Sequence, residues 1–344
     1  MSGLTDEQRG LQEALANLLA KRSDSAAVRR AIEQPAGYDV ELWRVLCEQI
    51  GVAALAVPER HGGVGAGPRE VQLVLEELGR TLTPSPMLGS VLASAVLLAV
   101  DDDAAAGRLL RLIAEGTVAA VAWADASGRW SSGAFSVSGD RLSGESHYVL
   151  DGDRAEILLA VAGGSVYEVD VADAERAVTP TMDLTRRLTT VRLDGAAATR
   201  LGRPDPDLTA ALDVALVALA GEQVGAAARI LEMTVEYSKV RHQFGRPIGS
   251  FQALKHRMAD LHVRLEAARS AAYAAAGGTL PAAAAKAYCS DAFTAIAGES
   301  IQLHGGIAIT WEHDAHLYFK RAHGSAALFG SPDHHRRRLE GMLP

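Results

Sequence analysis

The connection that decides the fold reads Tyr237-Ser-Lys-Val-Arg-His-Gln-Phe-Gly-Arg-Pro-Ile-Gly-Ser-Phe-Gln252. From Phe251 onward, apolar residues recur every three or four positions, which predicts one face of a helix, with Ser250 as its N-cap. Upstream, the same periodicity predicts a helix from about Leu208 to Lys239. The quoted stretch is therefore a short link between two long, antiparallel helices.

Six positions of this link resemble the R-x-x-F-G-x-x-I-x-x-F-Q signature of the acyl-CoA dehydrogenase family: Arg241, Phe244, Gly245, Ile248, Phe251 and Gln252. The resemblance implies that FAD is the cofactor and that Arg241 reaches the FAD pyrophosphate of a neighbouring subunit. It also implies cofactor contacts for Phe244, Phe251 and Gln252. A guanidinium suits this role because its fork of donors matches phosphate oxygens. For Arg241 alone, a basic residue that caps a helix C-terminus is the alternative.

The composition is that of an ordinary globular protein, with 344 residues of which 48% are hydrophobic. A net charge of −8 argues against nucleic acid as a partner. We find no C-x-x-C or H-E-x-x-H motif, so no metal site is predicted. The polar N-terminus and the shortness of the apolar runs predict no signal peptide and no membrane span, hence a cytoplasmic protein. Cys47 and Cys289 are predicted to be buried free thiols.

Three consecutive parts differ in periodicity. Residues 1–115 read as helices, which begin after a capping pattern at Thr5. Residues 116–203 contain short alternating runs separated by glycine, which predict an antiparallel barrel or sandwich. Residues 204–344 are helical again, and the charged cluster His334–Arg338 is interpreted as a solvated tail. The family resemblance implies the same α+β architecture, with a C-terminal four-helix bundle.

A second patch, on a predicted strand, resembles the family strand whose aromatic residue packs on the flavin ring. The usual tryptophan, isoleucine and threonine are replaced here by Tyr148, Val149 and Leu150, so one hydroxyl contact to the flavin is lost. A tyrosine in the wall of a β-barrel is the alternative. Near Trp123, where the family has a threonine-glutamate-proline segment, a single acid, Asp125, remains.

A third patch, Gln302-Leu-His-Gly-Gly306, resembles the family motif that holds the adenosine end of the cofactor. Gly305 and Gly306 can end a helix and let the backbone approach a ligand. Gln302 offers both a donor and an acceptor. The resemblance therefore adds Gln302, Gly305 and Gly306 to the expected FAD contacts.

The carboxylate that should remove the substrate α-proton is missing. Most relatives carry a glutamate before a glycine-threonine pair, but Phe329 occupies that base position here, before Gly330-Ser331. Phenylalanine cannot accept a proton. Ser331 and Asp333 fall where the family uses threonine and glutamine as flavin contacts.

Some relatives place the base on the preceding long helix, where this chain has Ala215. Glu222 lies two turns further along the same face and Asp213 is close by, so either could be recruited. We interpret both as solvated or capping acids, because unpaired acids are rarely buried. The sequence therefore names no catalytic base.

The resemblance implies a flavoprotein subunit that forms an α,β-double bond in an acyl-CoA, with an electron-transfer flavoprotein or similar acceptor. The missing base points to a second, longer acyl-CoA dehydrogenase subunit in an α2β2 heterotetramer, as in sterol-degrading relatives. A homotetramer remains open. Two other functions remain open as well: a non-catalytic subunit that lends Arg241 to a partner, and a flavin-dependent oxidase or oxygenase on the same fold.

Overall fold

The chain folds as helices, then a sheet, then helices, in the order that its periodicities predict, and the computed structural model describes residues 3–130 and 133–341. The first helix begins with a capping box: the Gln8 N–H donates to the Thr5 hydroxyl (3.2 Å), and the Thr5 N–H donates to the Gln8 side chain (3.1 Å). The N-terminal helices are α1 (Asp6–Arg22), α2 (Ser25–Glu33), α3 (Val40–Val45, continued by a π-helical turn over Leu46–Ile50), α4 (Pro68–Thr81), α5 (Met87–Ala99) and α6 (Asp103–Ala114).

The middle of the chain forms one curled, seven-stranded sheet. Its strands are β1 (Ala119–Ala122), β2 (Phe135–Ser138), β3 (Arg141–Leu150), β4 (Ile157–Ala162), β5 (Ser165–Val169), β6 (Ala174–Val178) and β7 (Leu188–Leu201). The order is β1-β4-β5-β7-β3-β2, and β6 pairs with β7. Neighbours are antiparallel as expected, except that β1 and β4 run parallel. Alternation did not reveal β6, because most of its side chains are exposed and it lacks a buried stripe.

The expected four-helix bundle is present in the C-terminal part, and a fifth helix packs on it. These helices are α7 (Leu208–Val240), α8 (Gln252–Ala276), α9 (Ala282–His304), α10 (Ala315–Ala327) and α11 (Pro332–Glu340). Among the described residues, α7 alone is long and apolar enough to cross a membrane, but 89% of its most apolar 18-residue window is buried inside the fold. That burial is what the central helix of a bundle requires.

Two glycines bring α4 and α7 into close contact. A β-carbon added to Gly225 would lie 1.8 Å from the Glu76 carbonyl oxygen, and one added to Gly79 would lie 2.1 Å from the Glu222 carbonyl oxygen. Side chains at these positions would push the helices apart. This crossing fixes the N-terminal helices against the bundle and places the middle of α7 deep in the protein.

Three local predictions are wrong. Ser250 does not cap α8, because its hydroxyl donates to the Pro247 carbonyl (2.7 Å) and Phe251 is the N-cap residue. The charged cluster near the C-terminus is not a solvated tail, because it forms α11, in which His335 is 1% exposed. Cys47 is a free thiol but only partly buried, whereas Cys289 is buried as predicted.

Candidate functional site

The link between α7 and α8 is a tight hairpin, made of β8 (His242–Gln243) and β9 (Arg246–Pro247). Its two turn residues, Phe244 and Gly245, both have positive φ angles, 53° and 77°. Such turns match the twist of the paired strands, but a bulky residue rarely adopts this conformation. Because the turn faces outward, Phe244 is 92% exposed. The hairpin thus holds an aromatic side chain out into solvent.

Arg241 ends α7 directly beside this hairpin. Its N–H donates to the Tyr237 carbonyl (2.9 Å), and the Ile248 N–H donates to the Arg241 carbonyl (2.8 Å), so the backbone is held on both sides. The guanidinium is exposed and makes no hydrogen bond or ion pair within residues 3–130 and 133–341. Arg241 therefore has a fixed backbone and an outward-facing cationic side chain, which can bind an anion from another molecule. Phe251, under the Arg246 guanidinium (4.0 Å to the ring centroid), and exposed Gln252 follow it.

The end of α9 lies at the same end of the bundle as Arg241. The rings of Tyr237 and His304 stack with centroids 4.5 Å apart, which joins the last turns of α7 and α9. Gln302 is exposed, and nothing lies within 4 Å of a β-carbon added to Gly305 or Gly306. The structure therefore brings two predicted motifs together on one open surface. They are the motif at Arg241 and the motif at Gln302, Gly305 and Gly306, both expected at the nucleotide end of the cofactor.

The predicted flavin-ring residues lie elsewhere. Tyr148 sits in a β-bulge of β3 at φ 57°, and its hydroxyl donates to the Ala126 carbonyl (3.3 Å). Its ring is 36% exposed, whereas Val149 and Leu150 are buried. A bulge re-aims a side chain that the regular strand would direct elsewhere. Tyr148 thus presents part of its ring beside the turn that leads from Asp125 to Trp130.

An aromatic cluster fills the position expected for the base. Phe329 is 1% exposed, and its ring meets the edge of Trp130 with centroids 4.8 Å apart. Trp130 in turn meets Trp123 at 5.5 Å. Edge-to-face contacts of this kind add to the stability that burial provides. Where relatives carry a carboxylate, this chain closes the corner between sheet and bundle with three aromatic rings.

The two groups of predicted cofactor residues are far apart within one chain. Lys286, near the start of α9, donates to the Gly330 carbonyl (3.1 Å), whereas His304 ends the same helix beside Tyr237. At a rise of 1.5 Å per residue, Lys286 and His304 are about 27 Å apart along α9. One chain therefore presents two separate groups of predicted cofactor residues. The ring-side group includes Tyr148, Ser331 and Asp333, and the nucleotide-side group includes Arg241, Gln302 and Gly305.

Comparisons with known proteins identify the family. The family model for the N-terminal domain of acyl-CoA dehydrogenases matches residues 5–117, and that for the C-terminal domain matches residues 207–341. A relative from Mycobacterium tuberculosis, acyl-CoA dehydrogenase IpdE2, is 47% identical over 98% of both chains. The chain belongs to the acyl-CoA dehydrogenase family. Members of this family are FAD-dependent oxidoreductases that act on acyl-CoA thioesters, so the implied cofactor and reaction class are confirmed.

Solved structures of other acyl-CoA dehydrogenases superpose over nearly the whole chain. One chain of the ChsE4-ChsE5 complex from Mycobacterium tuberculosis matches with a TM-score of 0.88, at 26% identity and with 100% of both chains covered. A chain of a Tcur3481-Tcur3483 steroid acyl-CoA dehydrogenase variant matches with a TM-score of 0.86, at 29% identity over 98% of this chain and 97% of that one. The expected acyl-CoA dehydrogenase fold is confirmed.

The outward-facing residues of this acyl-CoA dehydrogenase fit part of an FAD molecule. An exposed arginine and an open glycine pair suit a pyrophosphate and an adenosine that another subunit holds. On the ring side, Tyr148 offers an aromatic surface, but Leu150 has no hydroxyl to contribute. When bound, FAD supplies the acceptor for a hydride. Which residues contact it in this chain remains a prediction.

Two of the predicted flavin contacts, Ser331 and Asp333, and the acid Asp125 have local structural partners. Ser331 caps α11 by accepting the His334 N–H (3.2 Å), and Asp333 pairs with Arg336 (2.6 Å). Asp125 accepts a hydrogen bond from the Ser127 hydroxyl (2.6 Å), and with bonds from Arg129 this holds the pKa of its carboxyl well below its usual range. Asp125 is thus an ionised turn residue with a low proton affinity, which makes it a poor general base.

Glu222 is neither solvated nor a cap, and that interpretation is wrong. It is 6% exposed and pairs with Arg186 and with Arg321 (2.9 Å), whose guanidinium also contacts Asp183 (3.1 Å) and the Thr185 carbonyl (2.7 Å). Burial alone would raise the pKa of Glu222, but the two arginines outweigh burial and lower it. A carboxylate held this way keeps its charge and does not accept a proton near neutral pH.

Asp213 is also engaged. Arg338 of α11 donates to both of its carboxylate oxygens, at 2.6 and 2.8 Å. Asp213 therefore anchors the last helix to α7. The structure thus assigns structural partners to both acids considered as substitutes for the base.

The sequence patterns do not single out Asp151, a buried acid in the turn after β3. Burial, and then the charge of Asp153, raise the pKa of Asp151 to about 7. Asp151 lines a cavity of about 20 Å³ that Glu222, Arg186 and Arg321 also line, room for about one water molecule. Its position directly after Leu150 was the available signal, since this strand ends inside the protein.

Proposed function

We propose that this chain is one subunit of a heterotetrameric (α2β2) acyl-CoA dehydrogenase. In this proposal a longer partner subunit supplies the catalytic carboxylate and the flavin-ring pocket. This chain supplies the surface around Arg241 to the pyrophosphate of the FAD that the partner holds. In such an assembly the partner's base would take the α-proton of the acyl thioester, and bound FAD would supply the acceptor for the β-hydrogen as a hydride.

The observation that carries the proposal is the burial of Phe329. A base must lie within hydrogen-bonding reach of the proton that it removes. The base position of this chain holds an aromatic ring packed on Trp130, and the acids Glu222 and Asp213 are held by arginines. Within residues 3–130 and 133–341, the base position of this corner therefore offers no carboxylate for proton removal.

A second observation supports a role for this chain in such an assembly. Its nucleotide-side group, which includes Arg241 and Gln302, faces outward at the C-terminal end of α9, whereas its ring-side group lies near the start of the same helix. Apolar residues surround that group at high exposure, including Phe244 (92%), Ile309 (74%) and Trp311 (59%). Exposed apolar side chains beside an unpaired cation are typical of a surface that another subunit covers.

The substrate class follows from the relatives. One matched structure is titled a steroid acyl-CoA dehydrogenase and another is the ChsE4-ChsE5 complex, which contains two kinds of chain. We infer a coenzyme A thioester with a bulky, polycyclic acyl group as the substrate. An electron-transfer flavoprotein or a similar acceptor would then reoxidise the flavin.

The test is co-expression of this chain with candidate longer acyl-CoA dehydrogenase chains. Native mass measurement gives the stoichiometry, a flavin count gives the number of cofactors, and dehydrogenation of steroid acyl-CoA thioesters gives the activity. We expect a 2:2 assembly with activity that neither chain shows alone. A homotetramer of this chain that carries one flavin per subunit and dehydrogenates acyl-CoA by itself would refute the proposal.

A further inference from the structure

A buried lysine holds the turn that carries Phe329. Lys286 is fully buried (0% exposed) in α9, on an apolar stripe that continues at Cys289 and Phe293. Its ammonium donates to the Ser290 hydroxyl (3.0 Å) and to the carbonyls of Ala326 (3.0 Å) and Gly330 (3.1 Å). When Lys286 is protonated, all three of its donors are thus used, and every acceptor is neutral. Burial lowers the pKa of this ammonium to about 7.

The two carbonyl contacts lie on opposite sides of Phe329. Ala326 belongs to the last turn of α10, where a cation commonly caps free carbonyls. Gly330 lies beyond the helix, however, so the same ammonium spans the whole turn. A third carbonyl of the turn, that of Phe329, faces the buried ring of His335, with Nε2 at 3.1 Å. Side chains of α9 and α11 therefore hold the carbonyls on which the shape of the turn depends.

The turn needs such support because its backbone is unusual. Phe329 has φ 59° and Gly330 has φ 103°. Glycine adopts such angles readily, but an aromatic residue does so only where its surroundings impose the conformation. With this backbone, the Phe329 ring reaches Trp130 and closes the aromatic cluster.

We propose that Lys286 is a positioning residue, which fixes the Ala326–Gly330 turn so that Phe329 closes the ring-side corner against Trp130. That this corner needs no catalytic base of its own rests on the proposed function. The contact between Lys286 and the turn is a property of this chain alone, so it can be tested without the partner or the cofactor.

The test uses 5-fluorotryptophan and ¹⁹F nuclear magnetic resonance. The chain has four tryptophans, of which Trp130 touches Phe329, whereas Trp43 and Trp311 lie in other elements. Lys286→Met keeps the length of the side chain and removes its donors. We expect the Trp130 resonance to shift or broaden while the Trp43 and Trp311 resonances keep their positions.

Ser290→Ala is the matched control. It removes one buried hydrogen-bond partner of Lys286 on the same helix but leaves both carbonyl contacts to the turn. We expect it to leave the Trp130 resonance in place. An unchanged Trp130 resonance in a folded Lys286→Met chain would overturn the proposal, and so would an equal shift in Ser290→Ala.

Folding of the variants is also decisive. Lys286→Gln, which retains an amide donor, is the second variant, and circular dichroism reports whether each variant is folded. Unfolding of both Lys286 variants while Ser290→Ala stays folded would contradict the proposal, because a residue that only positions this turn leaves the bundle intact.

Discussion

At the scale of single residues, the functional interpretation depends on one exposed arginine and one buried phenylalanine. Arg241 is held by its backbone and offers its charge outward, whereas Phe329 is enclosed where relatives keep a carboxylate. Substitutions at these positions should therefore differ in kind. The first should change ligand retention with little effect on folding, and the second should change stability.

Arg241→Ala is expected to weaken FAD retention in the assembled protein. A hydrogen bond to a charged group contributes about 1.5–3 kcal/mol, so FAD should dissociate roughly 10- to 100-fold more readily. The melting temperature should change little, because the guanidinium has no partner among the described residues. Flavin content after gel filtration measures the effect. Arg264→Ala, an exposed arginine on α8, is the control and should keep its flavin.

Phe329→Glu is expected to destabilise the chain by several kcal/mol, because it places a carboxyl against Trp130 in an apolar corner. Burial raises the pKa of such a carboxyl, so the folded state favours its protonated form. The variant should therefore melt closer to the wild type at acidic pH than at neutral pH. Phe329→Leu, which stays apolar, should cost only about 1–1.5 kcal/mol at either pH. Equal melting temperatures for the two variants at neutral pH would show that the corner is open to water.

At the scale of elements, the crossing of α4 and α7 depends on the absence of side chains. Gly225→Ala would place a β-carbon 1.8 Å from the Glu76 carbonyl oxygen, and we expect a loss of at least about 1–3 kcal/mol in the free energy of unfolding. Gly298→Ala on α9 is the control, because the nearest atom would be 4.0 Å away. There alanine should stabilise the helix by up to about 1 kcal/mol. Denaturant unfolding of both variants tests this difference in sign.

The helices and strands also show which structural features can be predicted from the sequence and which cannot. Helical spacing located α7 to within one residue, because this helix has a continuous buried face. It missed α11, whose charged residues suggested a solvated tail, although Ser331 before Pro332 and Asp333 is a helix-start signal. The parallel pairing of β1 with β4 could not be predicted, since alternation carries no information on strand direction.

The candidate site likewise contains residues that the sequence predicts and contacts that it cannot predict. The motif residues Arg241, Gln302 and Tyr148 were named from local patterns, because short motifs keep their spacing along the chain. The partners of Glu222 could not be named, since Arg186 and Arg321 are distant in sequence and meet it only in the folded protein. A buried ion pair produces no periodic pattern in the sequence, so the sequence alone suggests that Glu222 is a solvated acid.

At the scale of the whole molecule, one buried charge network joins the three consecutive parts of the chain. It links Glu222 of α7, Arg321 of α10 and the loop after β6 that carries Asp183 and Arg186. Asp151, at the end of β3, lines the same small cavity with residues of the N-terminal helices. The stability of the entire fold should therefore depend on the protonation of the Asp151 carboxyl.

Asp151→Asn tests that dependence. Burial first, and then the charge of Asp153, raise the pKa of Asp151 from 3.8 to about 7, so the folded state binds this proton more tightly than the unfolded state does. The resulting stability is fully present below pH 3.8 and is lost as the pH rises through about 7. Asparagine cannot ionise, so the variant should gain stability relative to the wild type across this window, by up to a few kcal/mol.

Urea unfolding at both ends of the window measures the gain. Asp260→Asn, an exposed acid on α8, is the control and should follow the wild type. A variant Asp151→Asn whose difference from the wild type does not change with pH would show that this carboxyl is not the titrating group.

The hairpin that holds Phe244 in solvent also has a consequence for the life of the chain in the cell. Together with Ile309 and Trp311, it forms an apolar edge of the kind that chaperones and proteases recognise on incomplete assemblies. A chain made in excess of its partner would keep this edge uncovered and would be removed faster than the assembled protein. Its abundance would then follow the supply of the partner, so that losing the partner's gene would deplete this chain as well.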